Sequence, residues 1–191
     1  VTIKEGLEWV FRNAPEVFVA GDLLWYPVEG EPKICQAPDA LVAFGRPKGD
    51  RGSYKQWEEG GIAPQVVFEV LSPNNRFSEM YRKLKFSEQF GVEEYYIYNP
   101  DHPHLEGWLR ETDKGLNEIG ELNGWKSPRL GVRFDTTGAE LRIYGPDGRR
   151  FLTFMELANE AERASRDRDA EHQRAERLAA QLRAAGLGPA E

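Results

Sequence analysis

The stretch Gln65-Val66-Val67-Phe68-Glu69-Val70-Leu71-Ser72 constrains this chain more than any other. It is apolar at both sets of alternating positions, as a central strand covered on two sides has to be. Yet it carries a carboxylate near its C-terminal end. A buried Glu is expensive unless it is paired, hydrogen-bonded or bound to a metal. Strand alternation puts Glu69 on one face with Val67 and Leu71. Asn74 or Asn75 can cap a following helix that runs to about Phe90, where Gly91 suits a helix C-terminus. Glu94 to Tyr98 reads as a further strand. Strand, helix and strand make a βαβ unit, which predicts that the two strands are parallel.

The flanking sequence supplies the rest of an α/β domain. Ile3 to Asn13 reads as a helix with Ile3, Leu7, Val10 and Phe11 on one face. Val17 to Tyr26 and Ala40 to Phe44 read as strands, and Arg46 to Pro64 as one long polar loop. After Pro100 come short strand candidates at Leu105–Glu111, Leu116–Ile119, Gly131–Phe134 and Leu141–Tyr144, with Gly145-Pro146-Asp147-Gly148 as a turn. Phe151 leads into a long helix rich in Ala, Arg and Glu. Ala175, Leu178, Leu182 and Ala185 have heptad spacing there, but Arg168 and Glu171 interrupt the seam, so any coiled coil is short. The expected division is a core over residues 1–155 and a helical tail over 156–191.

Apolar residues at 40% and aromatic ones at 12% suffice for a packed core. Cys35 is the single cysteine, which excludes an internal disulfide and fits a reducing, cytoplasmic setting. No run approaches the roughly 20 apolar residues of a membrane span. Val1-Thr2-Ile3-Lys4-Glu5 is not a secretory signal, and the missing initiator Met suggests that a few residues precede it. The net charge of -7 argues against a general nucleic-acid binder. Two basic clusters remain, Arg46, Lys48, Arg51 and Lys55 in the loop and Arg76, Arg82, Lys83 and Lys85 on the helix. A solvated face is the plain account of both.

Three side chains could carry chemistry together. Glu69 sits where open α/β sheets place ligands, although an edge-strand Glu or an Arg partner would look the same. Asp39 follows Pro38 and precedes the apolar run Ala40-Leu41-Val42-Ala43-Phe44, which is also ordinary turn chemistry. Two carboxylates at the ends of neighbouring strands could hold a hard cation such as Mg²⁺. Lys83, on the helix, could stabilise negative charge or help to activate a water; an ion pair with Glu79, four residues earlier, is the alternative. His102, His104 and His172 form no zinc-spaced set with Cys35. Gly60-Gly61 lacks the Gly-Lys-Ser/Thr ending of a phosphate loop. Trp57 is the one tryptophan in the long loop; the others read as core or interface residues.

The ordered set Pro38-Asp39, Phe68-Glu69-Val70-Leu71-Ser72-Pro73, Glu79, Lys83 and Gly91-Val92-Glu93-Glu94-Tyr95-Tyr96-Ile97-Tyr98-Asn99-Pro100 resembles the Uma-two family of endonucleases. The likeness spans roughly Glu16 to Leu109, and the end of the tail, Gly186-Leu187-Gly188-Pro189, is also similar to that of many members. The resemblance implies a PD-(D/E)xK, restriction-endonuclease-like fold: a mixed sheet flanked by helices. It implies Mg²⁺, or Mn²⁺, held by Asp39, Glu69 and the backbone carbonyl of Val70, with Lys83 assisting hydrolysis of DNA. It also makes a homodimer plausible. The chain departs from the superfamily pattern at Leu71, where a Lys is usual, and Lys83 matches the place to which this family moves it. Glu79 and Asn99 stand where many members have Asp. A binding or assembly module that uses the same fold without turnover is the competing function.

Overall fold

The computed structural model describes residues 3–73, 76–111 and 115–185. The chain divides into two compact units, Val1–Phe151 and Leu152–Glu191. In chain order the elements of the first are α1 (Ile3–Val10), β1 (Val17–Ala20), β2 (Trp25–Tyr26), β3 (Ala40–Phe44), β4 (Tyr54–Lys55), β5 (Val66–Val70), α2 (Phe77–Gln89), β6 (Glu94–Asn99), β7 (His104–Arg110), β8 (Leu116–Glu118), β9 (Arg133–Asp135) and β10 (Arg142–Tyr144). The second unit contains α3 (Phe154–Ala184).

Six strands form one mixed sheet in the order β1-β3-β5-β6-β7-β8. β5 and β6 pair in parallel, as the βαβ reading requires, and the other neighbours are antiparallel. β5 lies inside the sheet, which is why its sequence is apolar on both faces. Val66 and Phe68 join one core cluster with α1 and with residues of β9 and β10. Val67 joins a second cluster with Met80 of α2, Tyr95 and Trp25. The sheet is thus covered on both sides, and Glu69 faces the α2 side. The expected mixed α/β architecture with flanking helices is the one found.

Helix α2 ends as its sequence predicts. The Phe90 N–H donates to Phe86 O, and Gly91 takes φ 101, a left-handed conformation that favours Gly. Arg76 occupies the N-cap without a side-chain hydrogen bond, while Asn74 and Asn75 lie outside the described residues, as does the Gly186–Pro189 end. In the second unit Thr153 and Glu156 form a capping box at the start of α3.

Two local expectations fail. The run Val17–Tyr26 is not one strand. Asp22 adopts φ 53 and donates its N–H to Pro38 O, so the chain turns at Gly21-Asp22 and β2 leaves the main sheet. The loop from Arg46 to Pro64 is not wholly irregular. Tyr54 is fully buried, and β4 pairs in parallel with β2. Neither two-residue strand has a local periodicity to announce it, because each is defined by a distant partner.

Gly107 sits opposite Tyr96 in the β6–β7 register. A methyl group there would lie 2.9 Å from the Tyr96 ring and 3.1 Å from a methyl of Leu122. Gly107→Ala is therefore expected to destabilise the protein by about 1–3 kcal/mol through overpacking. Urea unfolding checks this, and an unchanged midpoint would show that the ring can move aside.

Candidate active site

The end of β5 organises the site. Ala40 pairs with Phe68, so Asp39 continues that antiparallel register towards Glu69. The Val70 N–H donates to Asp39 Oδ2 at 2.6 Å. A strand N–H points along the sheet, so the Asp39 carboxylate lies where the next rung of the ladder would be. Glu69, one residue earlier, turns to the α2 side. Gln36 Nε2 donates to Glu69 Oε1 at 2.9 Å, and Lys83 Nζ donates to Glu69 Oε2 at 2.7 Å. The structure thus brings Asp39, Glu69, Val70 and Lys83 to one end of the sheet, in the order in which the strand and helix deliver them.

Lys83 does not form the local ion pair with Glu79 that helical spacing allows; its partner is Glu69. Met80 and Ser87 are buried on the inner side of α2. Lys83 lies between those two positions along the helix, and its stem carries the ammonium inward. The Glu69 side chain is 1% exposed and that of Lys83 is 23% exposed. The bridge therefore joins a buried acid to a base that still meets water.

Burial dominates the electrostatics of Glu69. Desolvation raises its pKa to about 7, the Lys83 hydrogen bond and charge oppose the rise, Asp39 adds to it, and Gln36 opposes it. Tyr95, on the neighbouring strand, is also fully buried, and its hydroxyl has no hydrogen-bond partner. Burial, then the charges of Glu69 and Asp39, push its ionisation up. All three acidic groups therefore sit within electrostatic reach of one another.

This donor set fits a hard divalent cation. Asp39 and Glu69 together carry two negative charges when ionised, and Lys83 supplies one positive charge, so the group retains room for more. Carboxylate and carbonyl oxygens are the ligands that Mg²⁺ prefers, and Mg²⁺ keeps several waters of its own. No group of three or more His, Cys, Asp and Glu side chains is arranged for a metal among the described residues. A cation here would rely on two carboxylates, a backbone oxygen and solvent or substrate. Asp39 and Val70 also line an open cleft of about 380 Å³ with Lys4, Glu5, Asp22 and Phe68. That cleft gives a solvent-side approach to Asp39.

Other sequence candidates lie elsewhere. In the basic loop Arg51 is paired with Glu59, Lys55 with Glu58, and Lys48 donates to Phe11 O. These cations are largely engaged within the loop and with α1's end. His102, His104 and His172 are exposed, and Trp57 is half-buried. Gln36 was not singled out from sequence. Its only local signal is a polar side chain three residues before Asp39, and its bond to Glu69 depends on tertiary structure.

The chain matches, over residues 4–148, the model of a family described as "Uma2: Putative restriction endonuclease". Among solved structures it is similar to the crystal structure of a "putative nuclease" from Anabaena variabilis, with 14% identity and a TM-score of 0.45, covering 65% of this chain and 66% of that one. The chain therefore spans slightly less than two thirds of that protein's length. No curated protein matches it.

Proposed function

The chain belongs to the Uma2 family, and from that membership we propose that it is a divalent-metal-dependent endonuclease that hydrolyses phosphodiester bonds of DNA. The observation that carries this reading is the clustering of Asp39, Glu69 and Lys83 at the end of β5. Asp39, Glu69 and the Val70 carbonyl would hold Mg²⁺ or Mn²⁺. When bound, such an ion polarises the phosphate and lowers the pKa of a coordinated water. Lys83 stabilises negative charge on the attacking or scissile oxygens, within reach because its ammonium already stands at Glu69. The N–H of Val70 orients the Asp39 carboxylate.

The test is cleavage of supercoiled DNA, linear DNA and RNA with Mg²⁺ or Mn²⁺, alongside Lys83→Met. Metal-dependent DNA nicking that falls on the order of a hundredfold in the variant supports the reading. Metal-dependent binding without any nicking would instead favour the silent binding module, the reading towards which the net charge of -7 leans.

A homodimer in the cytoplasm belongs to the same reading. Leu178 and Leu182 are 57% and 45% exposed on α3, and an apolar stripe in water favours a partner. The stripe is short, so the main contact is assigned to the strands after Pro100. Light scattering at micromolar concentration should give a dimer mass, both for the whole chain and after removal of the residues beyond Arg168. A monomer mass for the whole chain would overturn this. No helix among the described residues is long and apolar enough to cross a membrane.

A further inference from the structure

Gln36 is a buried amide, 8% exposed, in a segment with no helix and almost no strand of its own. Its backbone is nevertheless fixed. Trp25 N donates to Gln36 O at 2.7 Å and Gln36 N donates to Trp25 O at 3.1 Å, a closed pair of hydrogen bonds. Two residues on, Pro38 O accepts from Asp22 N at 3.0 Å. The segment that ends in Asp39 is thus pinned at both ends.

Trp25 is itself anchored. It is fully buried, its indole N–H donates to Gln56 Oε1 at 3.0 Å, and its ring meets Phe86 of α2 and the C-cap residue Phe90 edge-on at 5.2 and 6.4 Å. Phe86 lies three residues beyond Lys83 on the same helix. One tryptophan therefore registers both donors that reach Glu69, the Gln36 amide on one oxygen and the Lys83 ammonium on the other. A free Glu side chain has three rotatable bonds, and a ligand must be held to a small fraction of that range. Lys83 alone cannot do this, because its flexible stem leads to a partly hydrated head.

We propose that Gln36 is a positioning residue of this site, fixing the Glu69 carboxylate by one oxygen so that the other is presented to the ammonium and to an incoming cation. The inference rests on the endonuclease reading and extends it to a residue outside the acid–acid–lysine set. Gln36 acts through Glu69 and touches no reacting atom.

Gln36→Met keeps the length and burial of the side chain and removes its donor. The probe is Mn²⁺ alone, titrated while thermal unfolding is followed, with DNA cleavage measured in parallel. In the variant the Mn²⁺ concentration for half-maximal stabilisation should rise 10–100-fold, the range typical of lost outer-shell partners. The kcat should fall by a similar factor and KM for DNA should stay unchanged. A variant with the wild-type Mn²⁺ midpoint and kcat overturns the proposal, since a purely structural Gln would change the melting temperature and neither of these. Should Gln36→Met fail to fold, Gln36→Asn, which keeps a buried amide but draws it back from Glu69 by one carbon, decides. The Mn²⁺ midpoint should again rise, and an unchanged midpoint overturns the proposal. If the wild type itself shows no Mn²⁺ response, the endonuclease reading falls and takes this inference with it; a wild-type response shared unaltered by the variant defeats the inference alone.

Discussion

Glu69→Gln should abolish cleavage and, in metal-free buffer at pH 8, make the protein harder to unfold. The two effects have one cause. Glu69 is 1% exposed, and burial lifts its pKa from 4.5 to about 7. Above pH 7 the native state must hold a buried carboxylate that the unfolded chain hydrates freely. At about 1.4 kcal/mol per pH unit, that difference costs about 3 kcal/mol. As pH falls through 7 the native carboxylate takes up a proton before the unfolded one does. This group's contribution to stability therefore improves between about pH 7 and pH 4.5, and is complete below the unfolded value. A Gln cannot ionise. Its amide oxygen still accepts from Gln36, and Lys83, being 23% exposed, can turn to water. The variant should gain about 1–3 kcal/mol at pH 8 and lose the wild-type pH slope over this window. On the endonuclease reading, in which Glu69 would hold the cation, activity should fall on the order of a thousandfold. Thermal unfolding in EDTA from pH 5 to pH 8 is the measurement. A variant that is less stable than wild type at pH 8, with the same slope, would mean that Lys83 more than compensates the buried charge.

Mn²⁺ or Mg²⁺ should raise the melting temperature of the wild type at pH 8 and leave Asp39→Asn unmoved. A ligand that binds only the native state stabilises it by about 2.7 kcal/mol at a hundred times its Kd. For a chain of this size that is a rise of roughly 5–10 °C. Asp39→Asn is a clean control, because the Asn side-chain oxygen can still accept the Val70 N–H that Asp39 Oδ2 now accepts. The fold at the end of β5 is kept while one formal charge is removed. The shift in the wild type should shrink below pH 7, where a proton on Glu69 competes with the cation. An equal rise in both proteins would place the metal elsewhere.

The core of this domain was legible in one stretch of sequence. Apolar residues at every position from Val66 to Phe68, a helix of three to four turns closed by Gly91, and a second strand from Glu94 fix a parallel crossover, because each step depends on the backbone and solvent preferences of its own residues. The same local logic marked Glu69 as a carboxylate in the wrong solvent and Asp39 and Lys83 as its candidate companions, and the sequence resemblance implied a role for each. What was not legible is equally specific. Gly21-Asp22 is a turn-type dipeptide, but apolar residues on both sides make the run read as one strand, and the Asp22 N–H is satisfied by Pro38 sixteen residues away. Nothing in Trp25-Tyr26 or Tyr54-Lys55 announces that they pair.

The sequence by itself determined the central strands β5 and β6, the helix between them and the buried acid, since hydrophobic periodicity and capping are properties of short segments. Only the tertiary structure decided whom the acid would meet. Glu79 lies four residues from Lys83 and Glu69 fourteen, yet Lys83 bonds to Glu69. Gln36, thirty-three residues from Glu69, reaches its other oxygen. An exposed pair along a helix contributes only about 0.2–0.5 kcal/mol, whereas a buried carboxylate left without partners costs several times more. Once the sheet buries Glu69, the fold has to bring donors to it, and which donors arrive is set by strand register and helix packing.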